Sequence, residues 1–188
     1  MPERWRMLAV LFVARCVMGF QFQAAASAGP VLVAELGISF AELGLLIGMH
    51  TMPGIVMSLP GGLVGARLGD KRGVLIGLGL ITLGAVLAGF GGSFTTALVG
   101  RAVAGMGSIF LSVLMTKMAT DWFEGRELVT ALSILFASWP VGIGIALLVI
   151  GPVAASVGWQ AGLLLPALLG ALGFALIALL YREYARHD

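Results

Sequence analysis

Arg15, His50 and Arg101 each interrupt a long apolar run. If those runs cross a bilayer, these are the side chains able to do chemistry at depth. A guanidinium offers five N–H donors in a fixed fork and suits an anion. An imidazole donates, accepts, and can take up a proton near neutral pH. An arginine at mid-membrane costs roughly 2.5–3.5 kcal/mol on insertion scales, so each must face the bundle interior, a watery cavity or a partner. The nine acids are Glu3, Glu35, Glu42, Asp70, Asp121, Glu124, Glu127, Glu183 and Asp188, all at termini, joints or span ends. Arg15 therefore has no carboxylate at its own depth. Either an anionic substrate or sequence outside this stretch neutralises it, or both arginines bond to backbone carbonyls and small polar residues such as Gln21 and Ser108. Arg101 is equally explained as a packing and conformational residue. His50 is a candidate for proton coupling or a satisfied core histidine. Lys117, at the inner end of the fourth run, is explained by snorkelling to the headgroups.

The apolar runs do read as membrane spans. The 188 residues are 60% hydrophobic and only 11% charged, against roughly 25% charged in a soluble domain. A net charge of +2 gives no support to a nucleic-acid partner. The 28 glycines suit close helix packing in lipid. Cys16, the single cysteine, excludes an intrachain disulfide and a cysteine-rich metal site. No cofactor is expected.

A spanning helix needs about 20 mostly apolar residues. Six such segments follow one another, at about 6–28, 41–66, 73–91, 94–118, 128–150 and 160–181. No segment alternates with period two, as a β-barrel strand would. Trp5, Trp122, Trp159, Tyr181 and Tyr184 fall at predicted helix ends, where amphipathic rings prefer to lie. Arg4 and Arg6 before an apolar run, with Ala26-Ser27-Ala28 after it, resemble a secretory signal. Arg15 interrupts that run, which is also too long for a signal core, so the first span is expected to stay.

Lys and Arg set the orientation. Nine of the eleven, Arg4, Arg6, Arg67, Lys71, Arg72, Lys117, Arg126, Arg182 and Arg186, sit at one set of span ends. The opposite joints, about 29–40, 92–93 and 151–159, carry neither. Six spans with both termini cytoplasmic satisfy this pattern, in a multi-pass protein of a bacterial inner membrane.

The first and fourth spans share an element. Arg15-Cys16-Val17-Met18-Gly19 and Arg101-Ala102-Val103-Ala104-Gly105 both read R-x-x-x-G, on spans that enter from opposite sides. That fits two three-helix units of inverted topology. Breaks are expected at Pro53-Gly54 and Pro60-Gly61-Gly62 in the second span and at Trp139-Pro140 in the fifth. Gly61, Gly65 and Gly69, and likewise Gly100, Ala104 and Ser108, make small faces for close helix approach.

The joint Ala66-Arg67-Leu68-Gly69-Asp70-Lys71-Arg72-Gly73 resembles the loop motif of the major facilitator superfamily, Gly-x-Leu-small-Asp-basic-x-Gly followed by basic residues. Asp70, Lys71 and Gly73 match in type and spacing. Ala66 replaces the first glycine, with Gly65 one place earlier, and Val74-Leu75-Ile76 stand where further basic residues usually follow. Arg101-x-x-x-Gly105-x-Gly107-Ser108 resembles the family's membrane arginine motif. The antiporter motif of the fifth span is poorly kept, with Gly142-Ile143-Gly144-Ile145-Ala146-Leu147 at its place, which argues against a drug antiporter. Gly19-Phe20-Gln21-Phe22-Gln23, Met52-Pro53-Gly54, Thr116-Lys117-Met118 with Asp121-Trp122-Phe123, and Ser138-Trp139-Pro140-Val141-Gly142 are similar to the cyanate, nitrate and organic-anion permease branch.

The resemblance implies an all-α integral membrane fold, one six-helix half of a twelve-span transporter, working by alternating access. The C-terminal half is absent from this stretch. Arg15 would bind the anion, with Gln21, Gln23 and His50 as polar neighbours, Gln21 being nearer to Arg15 by turn count. Gly65, Asp70, Lys71, Arg72 and Gly73 would form the conformational motif, with Asp70 near a helix terminus of the other half. Arg101, Gly105 and Gly107 would couple binding to protonation or helix packing. The implied partners are the bilayer, a small anion, a coupling proton, and a second six-helix half or a homodimer copy. Three readings stay open: a piece of a twelve-span transporter, a half-transporter that pairs, or a non-transporting scaffold. An intramembrane protease would need Gly-x-Ser-Gly, and Met106-Gly107-Ser108-Ile109 lacks the second glycine. An enzyme is not expected.

Overall fold

With no water in the hydrocarbon region, each span must satisfy its own backbone, which a helix does. The computed structural model describes residues 2–56 and 67–182, and every regular element among them is a helix. They are α1 (Glu3–Ser27), α2 (Gly29–Leu36), α3 (Phe40–Gly48), α4 (Asp70–Phe90), α5 (Phe94–Trp122), α6 (Gly125–Val157) and α7 (Trp159–Leu180). Five of these, α1 and α4 to α7, are long and apolar enough to cross a membrane. The second expected span begins as α3, turns at 49–52 and resumes as helix at 53–56. The rest of it, with Pro60-Gly61-Gly62, Gly65 and Ala66, lies outside the described residues, as do Tyr184 and Arg186.

Two expectations need correction. The joint 29–40, expected only as a connection between spans, holds α2: Pro30 near the helix start presets the backbone, and Gly37 at φ 65° ends it. The fifth span does not break at Trp139-Pro140. α6 runs as one helix through both Pro140 and Pro152, over about 50 Å at 1.5 Å per residue. Each proline withholds a single amide, and a well-packed helix tolerates that loss.

α4 packs antiparallel on α5 and also along α7, while α1 packs along α6 and α7. These crossings are backbone to backbone. A Cβ on Gly84 would collide with the carbonyl of Gly100 and the amide of Ala104, and a Cβ on Gly100 with the carbonyl of Gly84 and the amide of Ala88. Gly77 and Gly107 face each other in the same reciprocal way. Gly100 and Ala104 thus serve the packing face read from the sequence.

The ion pairs gather at one end of the bundle. Arg4 meets Glu127 at 2.8 Å, Arg182 meets Glu3 at 3.9 Å, and Lys117 is paired with both Asp70 and, at 3.3 Å, Asp121. Lys117 therefore does more than snorkel: it joins the start of α4 to the end of α5. Lys71 donates to the carbonyls of Ala178 (3.0 Å) and Tyr181 (2.8 Å), tying α4 to the last turn of α7. The opposite end uses side-chain caps, with Ser39 and Glu42 opening α3 and Ser93 and Thr96 opening α5. The two ends differ as the Lys and Arg distribution requires.

Gly84→Ala should lower the melting temperature of the detergent-solubilised chain, since overpacking a close contact costs about 1–3 kcal/mol. Gly79→Ala, on the same helix with nothing within 4 Å of its Cβ position, should leave it unchanged or raised. A scan of both variants checks the pair.

Candidate functional site

α1 carries Arg15 into the middle of the bundle, where it is 4% exposed. Its Nη1 donates to the carbonyl of Leu135 on α6 at 3.2 Å. The guanidinium carbon stands 4.7 Å from the centre of the Phe136 ring, within cation–π range. Arg15 Nε is buried with no hydrogen-bond partner among the described residues. This is thin provision for a buried charge: one carbonyl, one aromatic face and one idle donor.

Arg101, on α5, is 1% exposed and differently provided for. Nε donates to Leu46 O at 3.2 Å, Nη1 to Gln21 O at 2.5 Å and Nη2 to Phe22 O at 3.0 Å. Three carbonyls from two helices, α1 and α3, give each of its nitrogens one acceptor. Bonding to backbone carbonyls, one alternative read from the sequence, describes Arg101 well and Arg15 only in part.

The two arginines occupy matching frames. Arg15 takes Leu135 O, and Gly19, four residues on, lies against Trp139 O, four residues beyond Leu135. Arg101 takes Leu46 O, and Gly105, four residues on, lies against His50 O, four residues beyond Leu46. Three residues further, Phe22 stacks at 5.2 Å on Trp139, and Ser108 bonds at 3.1 Å to His50. The R-x-x-x-G match is thus a repeated packing unit, and it supports the inverted three-helix repeats.

Phe22 joins the two frames. Its ring centre lies 5.2 Å from Trp139 and 5.9 Å from His50, while its carbonyl receives Arg101. Sequence reasoning did not single out Phe22, Phe136 or Trp139 as site residues. Position seven after Arg15 and position four after its carbonyl partner were the available signals.

The candidate binding residues spread over this layer. Gln21 is not a neighbour of Arg15 through its side chain; its carbonyl serves Arg101, and its buried Oε1 has no partner among the described residues. Six residues along a helix turn Gln21 some 120° away from Arg15, by about 100° per residue, which turn count alone hides. Gln23 is half-buried and donates to Ser27 at 3.4 Å. His50 is 3% exposed in the turn that follows α3, with Nε2 on Ser108 and Nδ1 unpartnered among the described residues. In the loop, Gly69 at φ 84° starts α4, Asp70 reaches Lys117 across to α5, Arg72 is exposed, and Gly73 is buried. Gly107 belongs to the α4 crossing. An apolar cavity of about 710 Å³, lined by residues such as Phe12, Cys16 and Leu172, lies among α1, α6 and α7 and holds none of these polar groups.

The model of the Major Facilitator Superfamily matches residues 11–188. The chain belongs to that superfamily. It is 25% identical over 162 residues to a hexuronate transporter of Bacillus subtilis, covering 85% of this chain and 38% of that protein. It is 31% identical over 134 residues to the probable sulfoacetate transporter SauU of Cupriavidus necator, covering 71% of this chain and 31% of that one. The chain spans about a third of the length of these curated relatives. A solved structure of the proton:xylose symporter XylE shares the fold, with TM-score 0.83 at 15% identity, covering 96% of this chain and 45% of that one. This superfamily member is an integral membrane protein.

The unequal provision for the two arginines predicts unequal mutational costs. Arg101→Met should lower the melting temperature in detergent, because it removes a three-carbonyl link between α1, α3 and α5. Arg15→Met should leave stability unchanged or raised, since an apolar side chain replaces a poorly satisfied buried charge. Thermal scans of the two variants test the contrast.

Proposed function

We propose that the chain is the N-terminal, substrate-binding half of a secondary transporter for small anions, with Arg15 as the anion-binding group. The observation that carries this is the idle donor capacity of Arg15. A buried guanidinium that holds one carbonyl at 3.2 Å and leaves Nε bare is poised to accept an anion, where Arg101 is already filled. Support also comes from the names of two relatives, a hexuronate and a sulfoacetate transporter, since both compounds are anions. The cyanate, nitrate and organic-anion resemblance points the same way.

Transport would proceed by alternating access about the Arg15 layer, with a second six-helix half, from elsewhere in the same protein or from another copy, closing the site. Both termini would lie in the cytoplasm of a bacterial cell, because the Lys- and Arg-rich ends of the spans share one side. Asp70 would act at the rim, exchanging its contact with Lys117 for one with the other half as the halves rock.

The test is anion-dependent thermal stabilisation of the detergent-solubilised chain by galacturonate, sulfoacetate and nitrate. The wild-type chain should be stabilised by at least one of them. Arg15→Lys should retain a weaker shift, because a point charge replaces a fork. Arg15→Ala should lose it. Equal shifts in all three proteins would sink the proposal.

A further inference from the structure

The apolar cavity of about 710 Å³ among α1, α6 and α7 takes no part in the arginine layer. Small residues make room for it: Gly142 on α6 and Gly173 and Ala175 on α7 put no bulk opposite Val13 and Cys16 of α1. Every lining side chain is apolar, and the Cys16 sulfur is the one heteroatom among them. A water molecule needs two to four polar partners and finds none on these side chains. An empty void forfeits dispersion contacts along its whole wall. The occupant is therefore apolar.

Position and length narrow it further. Val13, Leu172 and Leu179, all lining residues, are exposed, so the cavity is a groove open at the side of the bundle. Along α7 it runs from Leu169 to Leu180, about 16 Å at 1.5 Å per residue. That is close to one leaflet of a hydrocarbon core about 30 Å thick. The groove also faces away from Arg15. Ile145, on its wall, stands nine residues after Phe136, and so points to the opposite side of α6 from the ring beside that arginine.

Cations stand at the mouth. The groove ends at Leu180, on the side of the span ends rich in Lys and Arg, and Arg182 follows with 81% of its side chain open. The Arg182 amide donates to Met7 Sδ at 3.3 Å, which sets this residue beside the first turns of α1. Arg6, seven residues before Val13, shares the α1 face that lines the groove. It is exposed and holds no ion pair among the described residues, whereas Arg4 is taken by Glu127. Glu3 is the competing acid, 3.9 Å from Arg182, in an exposed and therefore weak pair.

We propose that this groove binds an anionic phospholipid of that leaflet, with one acyl chain along α7 and the phosphate at Arg6 and Arg182. A tail-shaped apolar groove one leaflet deep, with positive charge at its mouth, matches an amphiphile with a long tail and a negative head. A zwitterionic lipid fills the groove equally but gains less from the arginines. The site stands apart from the anion site at Arg15 and does not depend on it.

Native mass spectrometry of the detergent-solubilised chain, with phosphatidylglycerol and phosphatidylethanolamine of equal chain length, reads the bound lipid directly. The wild-type chain should hold one phosphatidylglycerol, preferred by about twentyfold, since each basic residue near an anionic lipid is worth about fivefold. Arg6→Gln combined with Arg182→Gln should bring the two lipids near parity. Ala175→Trp, which fills the groove from an exposed position, should lose the bound lipid. Val13→Trp, on the facing wall, serves if that variant fails to fold. Glycerol phosphate, a head without chains, should not displace the lipid at equal concentration. Absence of bound lipid, equal retention of both lipids by the wild-type chain, or unchanged phosphatidylglycerol binding in the tryptophan variants overturns the proposal. Displacement by glycerol phosphate overturns it too, and so does a dimer that the tryptophan variants dissolve, since a second copy then fills the groove.

Discussion

Direct backbone contact between helices is the constraint on which the rest of this structure depends. Lipid tails are as apolar as leucine, so apolar burial alone does not press spans together; close packing and interhelical hydrogen bonds must do it. Gly84, Gly100, Gly77 and Gly107 let α4 and α5 touch along their length. Gly19 and Gly142 do the same for α1 and α6, each lying against the other helix's backbone. Only because the helices touch do carbonyls come within reach of arginines on the next helix. A side chain at 19 or 105 would push away the strand of backbone that holds Leu135 O or Leu46 O. The polar layer at mid-membrane is therefore a consequence of the glycines around it.

That layer shows one frame filled in two ways. In the α5 frame each guanidinium nitrogen is bonded to a carbonyl, and the neighbouring pair, Ser108 and His50, is polar. In the α1 frame one guanidinium nitrogen is bonded to a carbonyl, and the neighbouring pair, Phe22 and Trp139, is aromatic. The repeated frame supplies the geometry; the residues within it separate a structural clamp from a group with donors to spare. Arg101 also reads the α1 backbone at Gln21 and Phe22, so the clamp helps fix the helix on which Arg15 rides.

Five of the expected spans were legible because apolar length reports directly on the bilayer. The loop motif and the R-x-x-x-G element were legible because glycine and charged residues are few enough in kind to stand out by spacing. What spacing could not give was which neighbour each side chain meets. Gln21 sits near Arg15 in sequence yet lends its carbonyl to Arg101, since six residues do not return to the same helix face. Trp139-Pro140 read as a break because proline usually ends helices, yet tertiary packing carries α6 through it. α2 was hidden because eight residues at a span edge look like any short connection. Lys117 read as a snorkelling residue because its two carboxylate partners, Asp70 and Asp121, could be joined to it only by knowing how α4 meets α5.

The rim and the midplane have opposite mechanical character. At the midplane, glycine contacts and buried carbonyl bonds make a body with little room to deform. At the rim, the ion pairs are largely exposed: Lys117 has 55% of its side chain open to solvent, Arg4 and Glu127 have 42% and 45%. Such pairs are worth about 0–1 kcal/mol each. Lys117 moreover holds two acids at once, one on α4 and one on its own helix. Release of Asp70 leaves the lysine still paired with Asp121, so the contact can be exchanged without stranding a charge. The helices are thus divided between a rigid centre that carries the polar layer and a rim whose bonds can be traded cheaply.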